Sequence, residues 1–298
     1  MRLQDLPRAI LPVALLSSAI GLAACASAGS GAVEQSAPVR MLPPDAAPAE
    51  PVDNMPAGFR TAFAGADARA RRLVFAQECA AMVTRLRASG TFGAAAAAPK
   101  AVHCARTTDG VPVGGVYDID SAFARPRRLT LIRLDGARPR FTEPVDTAAI
   151  AGEARMVRDI TREVGPGWRA IKRAFVVVPI VSDSGVAEGW VLTQPPRPRT
   201  TVLGGDVAFV RNAEGRLVRI VDHLGTYALA PIPAAGPVRL VSAEAEVPAV
   251  ADLVAARGLA DIGREVSVRT ALATSQLVPR MDPASGARFS WEHSRTPR

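Results

Sequence analysis

The fold class is decided by one stretch in the second half of the chain, Asp206-Val207-Ala208-Phe209-Val210-Arg211, Asn212-Ala213-Glu214-Gly215 and Arg216-Leu217-Val218-Arg219-Ile220-Val221. Two runs rich in β-branched residues flank a four-residue segment that contains Asn and Gly, which is the pattern of a β-hairpin. Upstream, the apolar run 174–181 predicts another strand, with Pro179 at an edge, an end or a bulge. Strands that follow each other so closely predict an antiparallel sheet.

Helical patterns lie on both sides of this region. A first helix is predicted over 63–86, because its apolar residues recur at helical spacing, namely Phe75, Cys79, Met82, Val83 and Leu86. Asp146 predicts the cap of a second helix that ends at Gly165-Pro166-Gly167, and Pro248 and Gly258 bracket a third. Shorter strands are predicted at 101–104, 115–119, 128–134, 189–193, 238–241, 265–270 and 287–293. This order indicates an α+β domain in which a mostly antiparallel sheet packs with about three helices.

The N-terminus carries the features of an export signal. Arg2 and Arg8 precede an uncharged stretch from Ile10 to Leu22. That stretch suits the apolar region of a signal peptide and is shorter than the roughly 20 residues of a membrane-spanning helix. The sequence Leu22-Ala23-Ala24-Cys25 follows it.

These residues resemble the lipobox of bacterial lipoproteins, in which Leu and two small residues precede a cysteine. The resemblance covers about 25 residues and implies that the Cys25 thiol receives a diacylglycerol, that residues 1–24 are removed and that Cys25 begins the mature protein. Residue 26 is Ala rather than the Asp that retains such proteins in the inner membrane in the better-known sorting systems. The resemblance therefore implies attachment to the periplasmic face of the outer membrane, with the inner membrane as the alternative.

Residues 26–58 are mostly Ala, Pro, Gly and Ser and show neither helical nor strand periodicity. We expect 25–58 to be a lipidated, disordered tether, with an interaction tail that folds on a partner as the alternative. Residues 59–298 then form one α+β domain, with a possible subdomain break near 165. The formal net charge is +8, and all but two of the basic residues are Arg. Because these arginines are scattered and do not alternate with aromatic residues, nucleic-acid binding is not expected.

The search for a catalytic or metal-binding pattern yields only weak candidates. The three histidines, His103, His223 and His293, occur in no metal-ligand motif, so neither metal nor cofactor is expected. Asp222-His223 are neighbours that a strand would point to opposite faces, and Asp118 with Asp120 is more typical of a solvated strand end. Four further features are expected to be structural: Ser184 in a turn, Gly114-Gly115, Gly204-Gly205, and Trp168, Trp190 and Trp291 in the core. No catalytic residue is therefore assigned.

Cys79 and Cys104 are the two cysteines left once Cys25 carries lipid. An even number of cysteines in an oxidising compartment predicts a disulfide between them, and two buried free thiols are the alternative. The sequence thus leads to a lipid-anchored envelope protein with a non-catalytic binding or scaffolding domain and an unidentified envelope partner. A periplasmic hydrolase with a site assembled from distant residues is the alternative.

The assignment of Cys25 predicts a specific effect of Cys25→Ala. The variant should remain unlipidated and uncut at this position, because the acceptor thiol is lost. Mass spectrometry of the N-terminal peptide would check this, and an unmodified cysteine or a different mature end in the wild-type chain would refute the assignment.

Overall fold

A computed structural model describes residues 55–91, 101–106, 111–119, 126–133, 140–142, 147–181, 186–197, 199–279 and 289–296. The predicted signal peptide, Cys25 and the tether up to 54 lie outside these residues. Three helices are described, α1 (Ala57–Ala88), α2 (Thr147–Ala170) and α3 (Val250–Asp261). The strands are β1 (Ala101–Arg106), β2 (Pro112–Ile119), β3 (Pro126–Arg133), β4 (Arg140–Thr142), β5 (Phe175–Val181), β6 (Ala187–Thr193), β7 (Thr200–Leu203), β8 (Val207–Arg211), β9 (Leu217–Asp222), β10 (Ala228–Pro231), β11 (Val238–Val241), β12 (Val266–Arg269), β13 (Ala273–Pro279) and β14 (Phe289–Arg295).

The predicted α+β class is confirmed, because almost every strand pair is antiparallel. The strands form sheets in the orders β1-β2-β3-β4, β5-β6-β8-β9 and β11-β12-β13-β14, with β7 and β10 as a separate pair. The pair β11 and β12 is parallel, and α3 connects the two strands. The hairpin predicted around Asn212-Ala213-Glu214-Gly215 is formed by β8 and β9, with a bulge at Ala208/Phe209.

Helix α1 is the longest of the three described helices and contributes to two core clusters. It has 32 residues and is therefore about 48 Å long. Its first half buries Phe59, Phe63 and Leu73 against the sheet that contains β5 and against α3. Its second half buries Cys79 and Val83 against the sheet that contains β2 and β3.

Helix α2 joins the same two sheets from another side. Ile150 and Ala154 pack with Tyr117 of β2, whereas Ile160 and Trp168 pack with residues of β6 and β8. The helix is continuous across residue 165. Among the described residues, no helix has the length and apolarity needed to cross a membrane.

Helices α2 and α3 end later than a simple reading of glycine and proline suggests. Helix α1 begins at Ala57, so the last two residues of the predicted tether belong to the domain. The predicted stop at Gly165-Pro166-Gly167 is wrong, since α2 continues to Ala170. Burial of the Trp168 side chain against the Phe175 ring, 5.8 Å away, stabilises that last turn despite the missing Pro166 N–H.

The actual helix ends are left-handed C-caps. The amide of Arg173 donates to the Trp168 carbonyl after Lys172, whose φ is 52°. The third helix likewise passes through Gly258 and ends before Gly263, which has a φ of 80°, with the Arg264 amide donating to the Leu259 carbonyl. These bonds satisfy carbonyls that the helix itself leaves free.

The geometry required for the predicted disulfide is met. Cys79 of α1 and Cys104 of β1 are joined, with Cα atoms 6.0 Å apart, inside the limit of about 7 Å for an unstrained bridge. Cys79 is buried beside Val83, Val116 and Ile132, so the bond fastens the end of α1 to the first sheet.

We predict that this bond is formed in the protein in solution and stabilises it. The sequence separation is 25 residues, so removing the bond by Cys79→Ala with Cys104→Ala should lower the free energy of unfolding by about 3.5 kcal/mol on the chain-entropy model. Chemical denaturation would measure the loss. Thiol counting on the denatured, unreduced domain should find no free thiol from this pair, with the reduced domain as control; two free thiols would contradict the assignment.

Candidate functional site

Asp206 and His223 form the polar pair that comes nearest to a catalytic arrangement. They flank the β8–β9 hairpin, and the His223 amide donates to the Asp206 carbonyl at 2.9 Å. This pairing brings His223 Nδ1 to 3.1 Å from Asp206 Oδ1. Asp206 is fully buried, and its Oδ2 has no hydrogen-bond partner among the described residues.

Two more carboxylates surround this pair. Glu244 Oε1 lies 3.7 Å from His223 Nε2. Asp252 is buried and holds the backbone, because its carboxylate accepts from the Gly204 amide at 2.7 Å and the Ala249 amide at 3.2 Å at the start of α3. Burial raises the pKa of Asp252 to about 6, and the negative charge of Asp206 adds to that rise.

The hydrogen bond to Asp206 raises the pKa of His223 above its ordinary value, although burial acts in the opposite direction. An aspartate that orients a histidine in this way resembles one half of a general-base dyad. Asp222, the sequence neighbour of His223, instead accepts from Arg219 at 2.6 Å. The strand register could have identified the true partner, because Val207 pairs with Asp222 and so places Asp206 opposite His223.

The other two histidines also join elements of the fold. His103 is buried, and its Nδ1 lies 2.8 Å from Glu153 Oε2, which links β1 to α2. His293 Nδ1 lies 2.9 Å from the Ser275 hydroxyl on the neighbouring strand. Only 1% of Ser275 is exposed, so its hydroxyl is shielded from a substrate. Burial lowers the pKa of His293.

The remaining sequence candidates have structural roles or fall outside the described residues. Trp168 and Trp190 are buried in the core, and the partly buried Trp291 packs against two core clusters. Gly204 and Gly205 form a tight turn with positive φ, and a Cβ on Gly204 would lie 2.5 Å from the Thr226 carbonyl oxygen. Gly114 and Gly115 lie within β2, opposite β1 and β3. The side chains of Asp118, Asp120 and Ser184 are not among those described.

A cavity of about 300 Å³ opens at the N-terminal end of α1. Its lining is mainly apolar and includes one carboxylate: Pro56, Gly58, Phe59, Ala62, Glu246, Val247 and Leu272. Phe59 is 4% exposed and packs behind the cavity against the His293 ring, with centroids 5.2 Å apart. None of the three histidines is among the residues that line this cavity.

Another exposed apolar feature is the edge strand β9, where Val218 and Ile220 are exposed. The strand also carries Arg219, Arg216 directly precedes it, and its pairing with β8 is interrupted by the bulge. Charged residues and bulges are the usual protection of a sheet edge against pairing with another chain. The cavity is therefore the stronger candidate for a binding site.

Within the described ranges, no group of three or more His, Cys, Asp or Glu side chains is placed to hold a metal ion. No protein-family model, curated protein or solved structure matches the chain.

The Asp206–His223 pair predicts a distinctive titration. In NMR spectra of the imidazoles, His223 should titrate above pH 6.5 and His293 below it. Asp206→Asn should lower the pKa of His223 and leave that of His293 unchanged, because only His223 loses its carboxylate. A wild-type His223 pKa at or below 6.5 would contradict the pairing.

The same pair has a consequence for stability, which thermal unfolding between pH 6 and 8 would measure. A pKa raised on folding contributes stability that is fully present below the unfolded value near 6.5 and is lost as pH rises through the folded value. The melting temperature of the wild type should therefore fall more between pH 6 and 8 than that of Asp206→Asn.

Proposed function

We propose that the protein is a lipid-anchored component of the bacterial cell envelope whose domain binds a segment of another envelope protein and catalyses no reaction. The lipobox-like Leu22-Ala23-Ala24-Cys25 and the Ala/Pro-rich residues after it support anchoring and export. With Ala26 in place of Asp, we place the protein at the periplasmic face of the outer membrane, with the inner membrane as the alternative.

The observation that carries the binding function is the cavity at the start of α1. Its walls are apolar side chains of Phe59, Val247 and Leu272, and Glu246 supplies a negative charge at its lining. A short segment with one or two apolar side chains next to a basic residue matches this lining in both polarity and charge.

The position of the cavity fits a partner that is near the membrane. Pro56, which lines it, is almost the first described residue, and the lipid on Cys25 would be about 30 residues upstream. A flexible coil of this length spans about 30 Å r.m.s.. The cavity would thus be presented at the tethered end of the domain, within reach of segments that emerge from the membrane surface.

A hydrolase acting on a cell-envelope substrate is the second candidate function, and the Asp206–His223 pair is the observation that favours it. In this alternative Asp206 orients His223, which acts as a base on a water molecule. Two features weigh against it: His223 Nε2 faces the Glu244 carboxylate rather than a hydroxyl or thiol, and the pair is not part of the cavity lining. Hydrolysis of an envelope substrate by the purified domain, abolished in His223→Gln, would favour this alternative.

Binding can be tested by comparing two exposed alanines on α1. Ala62 lines the cavity, whereas Ala64 is exposed without being among the lining residues. A photo-crosslinking residue at 62, in the intact lipidated chain in cells, should capture a discrete envelope protein that the same residue at 64 does not.

With that captured protein purified, Ala62→Trp should weaken binding at least ten-fold by filling the cavity, and Ala64→Trp should have little effect. Ten-fold corresponds to about 1.4 kcal/mol, less than the burial of one large apolar side chain contributes. Equal capture from both positions, or unchanged binding by Ala62→Trp, would refute the proposal.

A further inference from the structure

We infer that the cavity has an intramolecular ligand, the tether segment Val39-Arg40-Met41-Leu42, which occupies it when no partner is bound. The inference deepens the proposed function, because it adds competition for the same cavity. The docking itself does not require a partner, so it can be tested on the chain alone.

The side chains that line the cavity indicate which ligand it would take. Phe59, Val247 and Leu272 give it apolar walls, and no ion pair among the described residues involves Glu246. Glu246 is exposed, whereas Phe59 is buried, so the charge lies at the rim and the apolar surface deeper. A ligand that fills the cavity should therefore present apolar side chains inward and a cation outward.

Residues 26–54 directly precede the described chain, and their composition singles out one segment as the ligand. Most are Ala, Pro, Gly or Ser, and the charged residues other than Arg40 are all acidic, at Glu34, Asp45, Glu50 and Asp53. Arg40 adjoins Met41 and Leu42, the two largest apolar residues of the region. This segment alone combines the apolar side chains and the positive charge that the cavity matches.

The chain between Leu42 and Pro56 is also long enough to allow this contact. The described chain begins at Met55, beside Pro56 of the cavity lining, and Leu42 precedes Pro56 by about 14 residues. A coil of that length spans about 20 Å r.m.s., enough to fold back onto a site near its own attachment point. Short flexible linkers give effective concentrations on the order of millimolar, so even weak contacts would be substantially populated.

Occupancy by the tether would have two effects. It would shorten the free length between Cys25 and the domain, and it would cover the apolar walls until a partner with a better-fitting segment displaced it. Because both ligands use the same cavity, removing the tether segment should strengthen partner binding.

The test uses the soluble chain from residue 26 to 298 without any partner. A diazirine amino acid replaces Leu42 in one sample and Val33 in the other; Val33 is an apolar tether residue next to an acidic one. Mass spectrometry should find intramolecular crosslinks from position 42 to peptides containing 56–62 or 246–247, at least five-fold more abundant than those from position 33.

Two matched sets of variants make the result specific. Ala62→Trp should reduce the position-42 crosslinks to the level of position 33, and Ala64→Trp should leave them unchanged. Arg40→Glu should reduce them, and Arg40→Glu combined with Glu246→Arg should restore them.

Equal yields from positions 33 and 42, or crosslinks that persist in Ala62→Trp, would overturn the inference. Failure here would leave partner capture at position 62 unaffected, so the two proposals can fail separately.

Discussion

The Asp67 carboxylate fixes the position of the central helix, and the rest of the domain depends on that position. Arg257 donates to it from Nε at 2.8 Å and from Nη2 at 2.6 Å, and the Trp291 indole donates at 2.8 Å. Asp67 and Arg257 are each 8% exposed. Removing one partner of such a buried pair leaves an unpaired charge and typically costs about 3–5 kcal/mol. One carboxylate thereby joins α1, α3 and β14 in a single arrangement.

Two residues further along α1, Arg69 extends this constraint to a second buried carboxylate, Glu188, in another sheet. Arg69 donates from Nε to Glu188 of β6 at 3.2 Å, and the Trp190 indole donates to the same carboxylate at 2.8 Å. Glu188 is 2% exposed, and these two donors satisfy a carboxylate that would otherwise be buried without hydrogen bonds. The two carboxylates fix the rotation of α1 about its axis and its position along that axis. With α1 held in this way, Phe59 and Phe63 pack where they support the apolar cavity.

The three histidines show why polar pairs alone do not identify an enzyme. His103 links β1 to α2, His223 closes the base of the β8–β9 hairpin, and His293 bonds across β13 and β14. Each interaction connects elements that are distant in sequence or closes a strand pair. Near His223, Asp252 provides the start of α3 with its cap. The buried polar groups of this domain therefore specify its assembly, whereas the apolar cavity lies at the surface, at the start of α1.

The sequence by itself determined the fold class, the β8–β9 hairpin and the pairing of Cys79 with Cys104. The runs rich in β-branched residues around Asn212-Ala213-Glu214-Gly215 are a local pattern, and the pairing of Cys79 with Cys104 was predicted from the number of cysteines left after Cys25. Only the tertiary structure decided where the helices end, since burial of Trp168 outweighs Pro166 and Gly263 takes the cap expected at Gly258. It also decided which residue pairs with His223 and where the cavity lies. Asp67, Arg257 and Trp291, like the residues that line the cavity, come together from opposite ends of the chain through packing, and no local sequence pattern encodes such contacts.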